Sequence, residues 1–474
     1  MSSYTISNTL NKNRVFILQK SELEKRLDPF YYVPELLELE KNILAKKPKK
    51  LRNYVVSIAS GATPKTTESE KYYAEKENGI PFLRVQNLSP TGILEFDDCK
   101  YINKETHNGM LKRSQVSAGD LLVKITGVGR MAVSSVAPGG FNGNINQHVC
   151  VIKTGSKEIS ETLAAFLNSN IGEKLASRRS TGGTRPALDY PALLSIPIIE
   201  DKRILKITAK VIAQKQKNEA EAEKLLASID DYLLKELGIK LPVLPENTLR
   251  NRMFTRKLSD IVNKRIDPFF HQDKFINNLC AVSNSKYPVK QLREIITNNL
   301  IKGSLPKQEE KDGECLVVQI NSINADGAIS LDDLLTAKNI FSKQQKLNLG
   351  DVLVVITGAT IGKIAFWNYD GDYFLGGDIV KFQTNNTSDN AFVFHFLRCS
   401  LMQTEIKRNI TGATNGHLAP EDISHLPIPV PPLDKQCEIA DHITAIRQQA
   451  QHLKDKTKEA LKKASEEIEK ILLS

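Results

Sequence analysis

Four sequence blocks occur twice in this chain of 474 residues, in the same order. The pairs are Asn13-Arg14-Val15-Phe16 with Asn251-Arg252-Met253-Phe254, Lys25-Arg26-Leu27-Asp28-Pro29-Phe30 with Lys264-Arg265-Ile266-Asp267-Pro268-Phe269, Gly119-Asp120-Leu121-Leu122 with Gly350-Asp351-Val352-Leu353, and Thr181-Gly182-Gly183-Thr184 with Thr411-Gly412-Ala413-Thr414. Their separation is far longer than the roughly 20–50 residues of a solenoid unit. The blocks therefore predict a duplicated domain, which gives one chain two similar but non-identical surfaces.

The composition is that of a globular protein with an excess of positive charge. Hydrophobic residues make up 41% and charged residues 25% of the chain, which is typical of globular domains. A chain of this length exceeds what one hydrophobic core usually holds. Lysine and arginine number 65 against 55 acidic residues, a net charge of +10, which favours a polyanionic partner such as nucleic acid.

The cysteine pattern and the apolar runs indicate the cellular compartment of the protein. The six cysteines are far apart and form no Cys-x-x-Cys pair, so neither a zinc ribbon nor a redox motif is indicated. Scattered single thiols are typical of a reducing cytoplasm. The polar segment from Met1 to Asn13 lacks the apolar stretch of a signal peptide, and no run approaches the roughly 18 apolar residues of a spanning helix. We expect a cytoplasmic protein.

Each copy contains patterns of both strands and helices. The runs 121–125 and 352–356 stand between Gly-Asp and Thr-Gly breaks and are rich in β-branched residues, which predicts strands. The runs 163–167 and 392–397 favour helices. We therefore predict an α+β class, with mixed domains at residues 1–200 and 241–432.

A long helix is predicted after each domain, at residues 201–240 and 433–474. In the second, apolar or small residues recur at spacings of three and four, close to a heptad seam. They are Ile439, Ile443, Ile446, Ala450, Leu453, Thr457, Ala460, Ala464, Ile468 and Ile471. A lone helix would leave this stripe in water, so we expect the two helices to form an antiparallel coiled coil that joins the domains. The alternative is that each helix packs on its own domain.

The motifs that resemble catalytic ones are incomplete. Asp28-Pro29-Phe30-Tyr31 and Asp267-Pro268-Phe269-Phe270 lack the second proline of the amino-methyltransferase signature, and no glycine-rich loop for S-adenosylmethionine stands near them. Gly358 to Lys363 resembles half of a phosphate-binding loop, but Ile364 follows where Ser or Thr is needed. No histidine cluster has metal-ligand spacing. We expect no catalytic residues, no metal and no cofactor.

Glycine loops with basic and hydroxyl side chains are the candidate binding residues. Such loops can approach phosphates closely through backbone N–H groups and add arginine forks. The glycine and threonine positions of these loops are kept in both copies, while the polar side chains between them vary. Recognition of different bases by the two copies requires such variation. The candidates are Lys124, Arg130, Arg178, Arg179, Thr181, Gly182, Thr184, Arg185, Lys363, Lys407, Arg408, Thr411, Thr414, Asn415 and His417.

The order domain, long helix, domain, long helix resembles the specificity (S) subunit of type I restriction–modification systems. The resemblance covers almost the whole chain. It rests on the Gly-Asp blocks, on the Thr-Gly-(Gly/Ala)-Thr loops, and on the proline run 426–433 followed by Lys435-Gln436 at the head of a helix. The first copy departs from it, because Ile196-Pro197-Ile198-Ile199-Glu200 has one proline and no equivalent glutamine.

The resemblance implies that each mixed domain is a target recognition domain for one half of a bipartite double-stranded DNA site. It implies that the helices form the spacer and carry methyltransferase (M) subunits, with two expected, and it leaves a restriction/translocase (R) subunit open as a further partner. The chain itself would be a non-catalytic adaptor. Two alternatives stay open at this point, a self-contained methyltransferase-like enzyme and a coiled-coil assembly protein that does not bind DNA.

Overall fold

The computed structural model describes residues 9–24, 26–243, 248, 250, 253–261, 265–332, 334–412 and 416–474. Within these ranges the chain divides into two compact units. The first comprises Met1–Glu219 and Lys454–Ser474, and the second comprises Ala220–Leu453. This division differs from the predicted boundaries, because each unit includes part of both long helices together with one copy of the duplicated domain.

The first copy is mixed, as the α+β class requires. Its helices, with the long helix that follows, are α1 Pro34–Ala45, α2 Ser69–Tyr72, α3 Lys104–Asn108, α4 Lys157–Leu167, α5 Asn170–Arg179, α6 Tyr190–Leu194 and α7 Lys202–Leu237. Its strands are β1 Lys49–Lys50, β2 Ser57–Ser60, β3 Ile80–Leu83, β4 Lys100–Ile102, β5 Val116–Ser117, β6 Leu121–Lys124, β7 Ser134–Val136, β8 Asn142–Ile145, β9 Val149–Lys153 and β10 Pro197–Ile198.

The second copy contains elements in nearly the same order. Its helices, with the C-terminal long helix, are α8 Leu258–Ile261, α9 Asp273–Ser283, α10 Leu292–Ile295, α11 Asn390–Arg398, α12 Ser400–Asn409, α13 Pro420–Ser424 and α14 Leu433–Leu473. Its strands are β11 Val289–Gln291, β12 Ile301–Lys302, β13 Lys311–Val318, β14 Leu335–Ala337, β15 Val352–Val355, β16 Ile364–Phe366, β17 Tyr373–Leu375, β18 Ile379–Phe382 and β19 Pro427–Pro429.

The central sheets of the two copies have matching topology. The strand order is β2-β9-β6-β7 in the first and β12-β18-β15-β16 in the second. The strands predicted from the Gly-Asp blocks, β6 and β15, lie in the interior of these sheets, and all their residues are buried. A strand with both neighbours present and both faces covered needs apolar side chains on both sides, which explains the continuous β-branched runs.

A helix covers one face of each central sheet. Phe166 of α4 packs in the core with Leu121 and Val123 of β6, and Phe396 of α11 packs with Val352 and Val354 of β15. In each copy a second helix follows at once, α5 or α12, and ends just before the Thr-Gly loop. The fold thus places the Thr-Gly loop close to the end of the buried strand.

The long helices contact each other within each unit. In the first, Asn218 of α7 donates to the hydroxyl of Thr457 of α14 at 3.0 Å. In the second, Lys435 and Glu236 form an ion pair at 2.8 Å, and the rings of Tyr232 and His442 lie 4.1 Å apart. Residue numbers rise on α7 as they fall on α14, so the paired segments run antiparallel.

Over the described residues, no group of three or more His, Cys, Asp or Glu side chains is arranged to hold a metal ion. None of the helices described there is both long and apolar enough to cross a membrane.

Candidate nucleic-acid interface

In the first copy, the two predicted glycine loops lie side by side. Backbone hydrogen bonds in both directions between Thr181 and Ala187, at 2.8 and 2.7 Å, close the loop that follows α5. Gly127 N donates to Pro186 O at 3.0 Å, and Leu188 N donates to Ile125 O at 2.8 Å. These bonds join the loop after α5 to the loop after β6, so the two form one continuous surface, which we call the paired loops.

The second copy has paired loops joined by three matching backbone hydrogen bonds. Thr411 and His417 exchange backbone bonds at 2.8 Å each, and Leu418 N donates to Ile356 O at 2.9 Å. The glycine after each threonine, Gly182 or Gly412, has φ near +90° (94° and 90°). This left-handed backbone suits glycine, which explains why the Thr-Gly pair recurs.

A third segment borders the paired loops, and it was not among the predicted site residues. Ile125 N donates to His148 O, and Ile356 N donates to Asp378 O, each at 2.9 Å. His148 directly precedes strand β9, and Asp378 directly precedes β18, so the two occupy equivalent places. The sequence does carry a signal, because a polar or glycine-rich turn stands before the β-branched run in each copy.

The side chains at this border differ between the copies. Arg185 Nη2 lies 2.9 Å from His148 Nε2, and Gln147 Nε2 lies 3.2 Å from the same ring nitrogen. Burial, and secondly the charge of Arg185, lower the pKa of His148. The second copy has Gly377 and Asp378 where the first has Gln147 and His148. The same backbone arrangement therefore presents different hydrogen-bond donors and acceptors in the two copies.

The duplicated Arg-x-Asp-Pro motif supports the base of the paired loops. Arg26 donates to both carboxylate oxygens of Asp28, at 2.8 and 2.7 Å. The same guanidinium donates to the backbone carbonyls of Arg179 and Ser180, each at 2.8 Å. The hydrogen bond from Arg26 also lowers the pKa of Asp28. The aspartate of the motif that resembles a methyltransferase signature is thus part of a structural contact in this copy, its pair with Arg26.

The second copy repeats this support with longer contacts. Arg265 Nε donates to Asp267 at 2.8 Å, and the guanidinium reaches the carbonyls of Asn409 at 3.2 Å and Ile410 at 3.4 Å. The arginine and the aspartate thus act as one clamp on the chain that enters the loop.

Three of the predicted phosphate-binding arginines are buried, and their assignment needs a correction. Arg178 and Arg179 are 4% and 8% exposed, and both donate to the carboxylate of Glu40. Arg408 is 7% exposed and pairs with Glu405 at 3.1 Å. A phosphate cannot reach a guanidinium that is enclosed and already paired. Through these ion pairs, the three arginines stabilise the base of the paired loops.

The aromatic residues of the same motif pack on these arginines. The guanidinium carbon of Arg178 lies 3.9 Å from the ring centre of Tyr31, and that of Arg408 lies 3.9 Å from the ring centre of Phe270. Each arginine also donates through Nε to the backbone carbonyl of that aromatic residue at 2.8 Å. Arginine planes stack well on aromatic faces, so the duplicated aromatics and arginines are partners.

Of the four other predicted cations, Arg130 and Lys363 lie in the loops after β6 and β15, and Lys124 and Lys407 lie in the elements before the loops. Lys124 is 4% exposed; its ammonium donates to Val128 O at 2.7 Å, and burial lowers its pKa. Arg130 donates to Asn168 O and to Asn170 Oδ1, at the junction of α4 and α5. Lys363 donates to Ile323 O at 2.9 Å. Lys407 is exposed on α12. Lys124, Arg130 and Lys363 thus hold backbone carbonyls.

The remaining predicted residues lie in the paired loops. Thr181, Gly182, Thr184, Arg185 and Thr411 are exposed, and His417 is half-buried. Thr414 and Asn415 lie outside the described residues. The polar set that the structure brings together at the loops is therefore smaller than the predicted set, and it gains the exposed Gln147 and the half-buried His148 and Asp378.

Comparison with known families identifies the second half of the chain. Residues 284–463 match the family model of the type I restriction modification DNA specificity domain. These residues therefore carry a type I DNA specificity domain. The matched segment contains the second pair of loops and the first part of helix α14. The first copy lies outside the matched segment, but its paired loops have three matching backbone hydrogen bonds.

Individual members of the specificity family are distant in sequence. The specificity subunit of the type I restriction enzyme EcoKI from Escherichia coli (strain K12) is 23% identical over 163 residues, which are 33% of this chain and 35% of that protein. The match thus spans about a third of the length of that curated relative.

Solved structures of the specificity family resemble the chain over most of its length. The S subunit from M. genitalium is 13% identical and covers 90% of this chain and 94% of its own, with a TM-score of 0.41. The S subunit from Thermoanaerobacter tengcongensis is 15% identical and covers 90% and 96%, with a TM-score of 0.33.

Proposed function

We propose that this chain is the DNA sequence-recognition subunit of a type I restriction–modification complex. Each copy of the duplicated domain reads one half of a bipartite duplex site through its paired loops. The observation that carries this proposal is one backbone frame, present twice, with different polar side chains on it. Base identity is read through donor and acceptor positions, so the two frames suit two different half-sites.

The exposed groups on the first pair of loops suit a nucleic-acid surface. Thr181, Thr184 and Arg185 offer hydroxyl and guanidinium donors, and Gly183 leaves open space around its backbone. A backbone without side chains can approach phosphates closely. Val128, at the tip of the other loop, is 77% exposed, and an apolar side chain there can contact a thymine methyl group.

The long helices form, in this proposal, an antiparallel coiled coil that sets the distance between the half-sites. The Asn218–Thr457 contact in one unit and the Tyr232–His442 contact in the other support it. The apolar residues Ile229 and Leu233 of α7 share a core with Ile439 and Ile443 of α14, as a seam requires. The domains are thus residues 1–200 and 241–432, with the helices as spacers.

Methyltransferase subunits dock on this spacer, two per chain, and supply the chemistry. The proposal leaves open a restriction and translocation subunit as a further partner. The chain itself transfers no methyl group. This part of the proposal follows from the resemblance to specificity subunits, and neither the self-contained methyltransferase nor the assembly protein without DNA binding is favoured by the match to a DNA specificity domain.

The test of two-half recognition is a selection from a pool of random duplexes with the full-length chain. We expect an enriched motif with two defined halves and an undefined gap of fixed length. Exchanging residues 182–186 for the sequence of residues 412–416 should change one half and leave the other half and the gap as they were. A motif with a single half, or no motif, would contradict the proposal.

The test of the spacer is a heptad inserted in each helix, after Ala222 and after Leu453. These positions lie between the Asn218–Thr457 and Tyr232–His442 contacts, so the seam stays in register. Seven residues at about 1.5 Å each lengthen the pair by about 10 Å, or roughly three base pairs. We expect a longer gap with unchanged halves. A gap of unchanged length would exclude the helices as the spacer.

A further inference from the structure

Gln147, His148 and Arg185 form a polar cluster at the edge of the first paired loops. The guanidinium of Arg185 and the amide nitrogen of Gln147 both lie within hydrogen-bond distance of His148 Nε2, at 2.9 and 3.2 Å. The side-chain oxygen of Gln147 accepts a hydrogen bond from the hydroxyl of Thr63. Arg185 and Gln147 are exposed, and His148 is half-buried.

The geometry determines the protonation state of the ring. A guanidinium can only donate hydrogen bonds. His148 Nε2 must therefore accept from Arg185, so it carries no proton and the imidazole is neutral. A protonated ring would point an N–H group at the guanidinium and would release the arginine. The lowered pKa of His148, caused first by burial and then by Arg185, agrees with a neutral ring.

The tether leaves a free pair of donors on Arg185. A guanidinium carries five N–H groups, and His148 uses one of those on Nη2. The second N–H of Nη2 and those of Nη1 stay available as a fork. This fork matches the O6 and N7 acceptors of guanine in the major groove. Because the side chain is already held, less conformational freedom is lost when the base binds.

We propose that Arg185 reads a guanine in the half-site of the first copy, and that His148 is the positioning residue that holds its guanidinium. This inference rests on the proposed DNA-recognition function. The sequence of the second copy has Asn415 at the place of Arg185 and Asp378 at the place of His148. The second copy therefore lacks the arginine, and a guanine read in this way belongs to one half-site.

The experiment is the duplex selection with four variants of the full-length chain, namely Arg185→Ala, His148→Ala, His148→Gln and Arg203→Ala. We expect Arg185→Ala to lower the preference for guanine at one position roughly 10- to 100-fold. His148→Ala should reduce the same preference by a smaller factor. His148→Gln should restore it, because the glutamine oxygen is an acceptor at about the reach of Nε2 and donates nothing to the arginine from that atom.

Arg203→Ala is the matched control for the loss of one positive charge. Arg203 is exposed on helix α7 and pairs with Asp201 at 2.6 Å, so its removal should leave every base preference intact. A contact of Arg185 with phosphate would instead weaken binding to all sequences alike and flatten the salt dependence. That result would overturn the inference, and so would equal effects of His148→Ala and His148→Gln.

The result for the unmodified chain distinguishes a failure of this inference from a failure of the proposed DNA-recognition function. If the unmodified chain enriches no two-part motif, the proposed function fails and the inference fails with it. If the motif appears and contains no guanine that depends on Arg185, this inference alone fails.

Discussion

The two copies hold the same paired loops with three matching backbone hydrogen bonds, but they neutralise the arginines beneath those loops differently. In the first copy, Glu40 of helix α1 pairs with both Arg178 and Arg179. In the second, Glu405 lies on the same helix as its partner Arg408, three residues before it. One carboxylate thus joins two segments distant in sequence, whereas the other stays within one helix turn.

This difference shows which part of the paired loops and their supporting residues tolerates variation. Backbone bonds such as Thr181–Ala187 and Thr411–His417 depend on chain geometry and need only a glycine that accepts positive φ. The charges below the loops need only to be balanced, and any acid that reaches the site can do so. The support of the loops therefore changed between copies, while the loop path did not.

A second difference lies on the helix that covers each central sheet. His395 of α11 is buried, and its Nε2 lies 3.2 Å from the hydroxyl of Thr444. The matching position in the first copy is Ala165 of α4, directly before Phe166. Burial, with the charges of Arg447 and Arg398, lowers the pKa of His395 to about 3. Only the second copy thus carries a titratable group at this place.

The largest expected effect concerns the acids below the loops. Glu40→Gln leaves two buried arginines without a counter-ion, and removing one partner of a buried pair costs about 3–5 kcal/mol of unfolding free energy. Glu405→Gln affects a single arginine and should cost less. Urea unfolding followed by circular dichroism measures both. Glu38→Gln, an exposed site on the same helix α1 as Glu40, is the control. An equal or larger loss of unfolding free energy for Glu405→Gln would contradict the proposed difference between the two copies.

The next effect is acid sensitivity of the second copy. The folded pKa of His395 lies below its ordinary value, so the unfolded state binds the proton first and stability falls as pH drops from about 6.5 towards 3. Between pH 6.5 and 5 the loss is about 2 kcal/mol, at 1.36 kcal/mol per pH unit.

The fluorescence of Trp367 measures this loss, because it is the single tryptophan and lies buried in the second copy. His395→Gln should flatten the fall in the urea midpoint between pH 6.5 and 5. His452→Gln, an exposed site on α14, should not. If wild type and His395→Gln fell by the same amount, the histidine would not be the cause.

A smaller effect compares the two ends of the helix pair. Asn218 and Thr457 are buried and hydrogen-bonded in the first unit, whereas Leu233 and Ile439 form an apolar seam in the second. Asn218→Ala should cost about 1–2 kcal/mol, because Thr457 loses its donor in a buried place. Thermal unfolding measures it, with the exposed Lys217→Ala as control. A cost no larger than that of Lys217→Ala would mean that the polar pair contributes nothing.

The smallest effect concerns the clamps. Lysine lacks the planar fork with which each arginine bonds its aspartate and the loop carbonyls together, so Arg26→Lys should loosen the first paired loops and Arg265→Lys the second. Each should lower affinity for its own half-site by roughly 3- to 10-fold through poorer positioning. Titration of duplexes altered in one half or the other measures this. If each variant weakened both halves equally, the copies would not act separately.

Much of the fold could be predicted from local pattern. The strands at 121–124 and 352–355, the helices α4 and α11, and both long helices follow from β-branched runs and three-four spacing, which depend on neighbours in the chain. The paired loops were predicted as separate glycine segments, because a Thr-Gly repeat indicates a turn. That they lie together depends on Ile125 and Leu188, which are bonded through the backbone across a distance in sequence that no pattern encodes.

The sequence by itself determined the duplication and the class of each element, because these depend on residue order and hydrophobic period. Only the tertiary structure decided which arginines are available. Arg178, Arg179 and Arg185 look alike in the sequence, all three near one Thr-Gly loop. Two lie under it because Glu40, more than a hundred residues away, closes over them, and the third stays exposed beside His148. Burial is a property of the packed chain, and a charge acquires its role from the partner that packing brings to it.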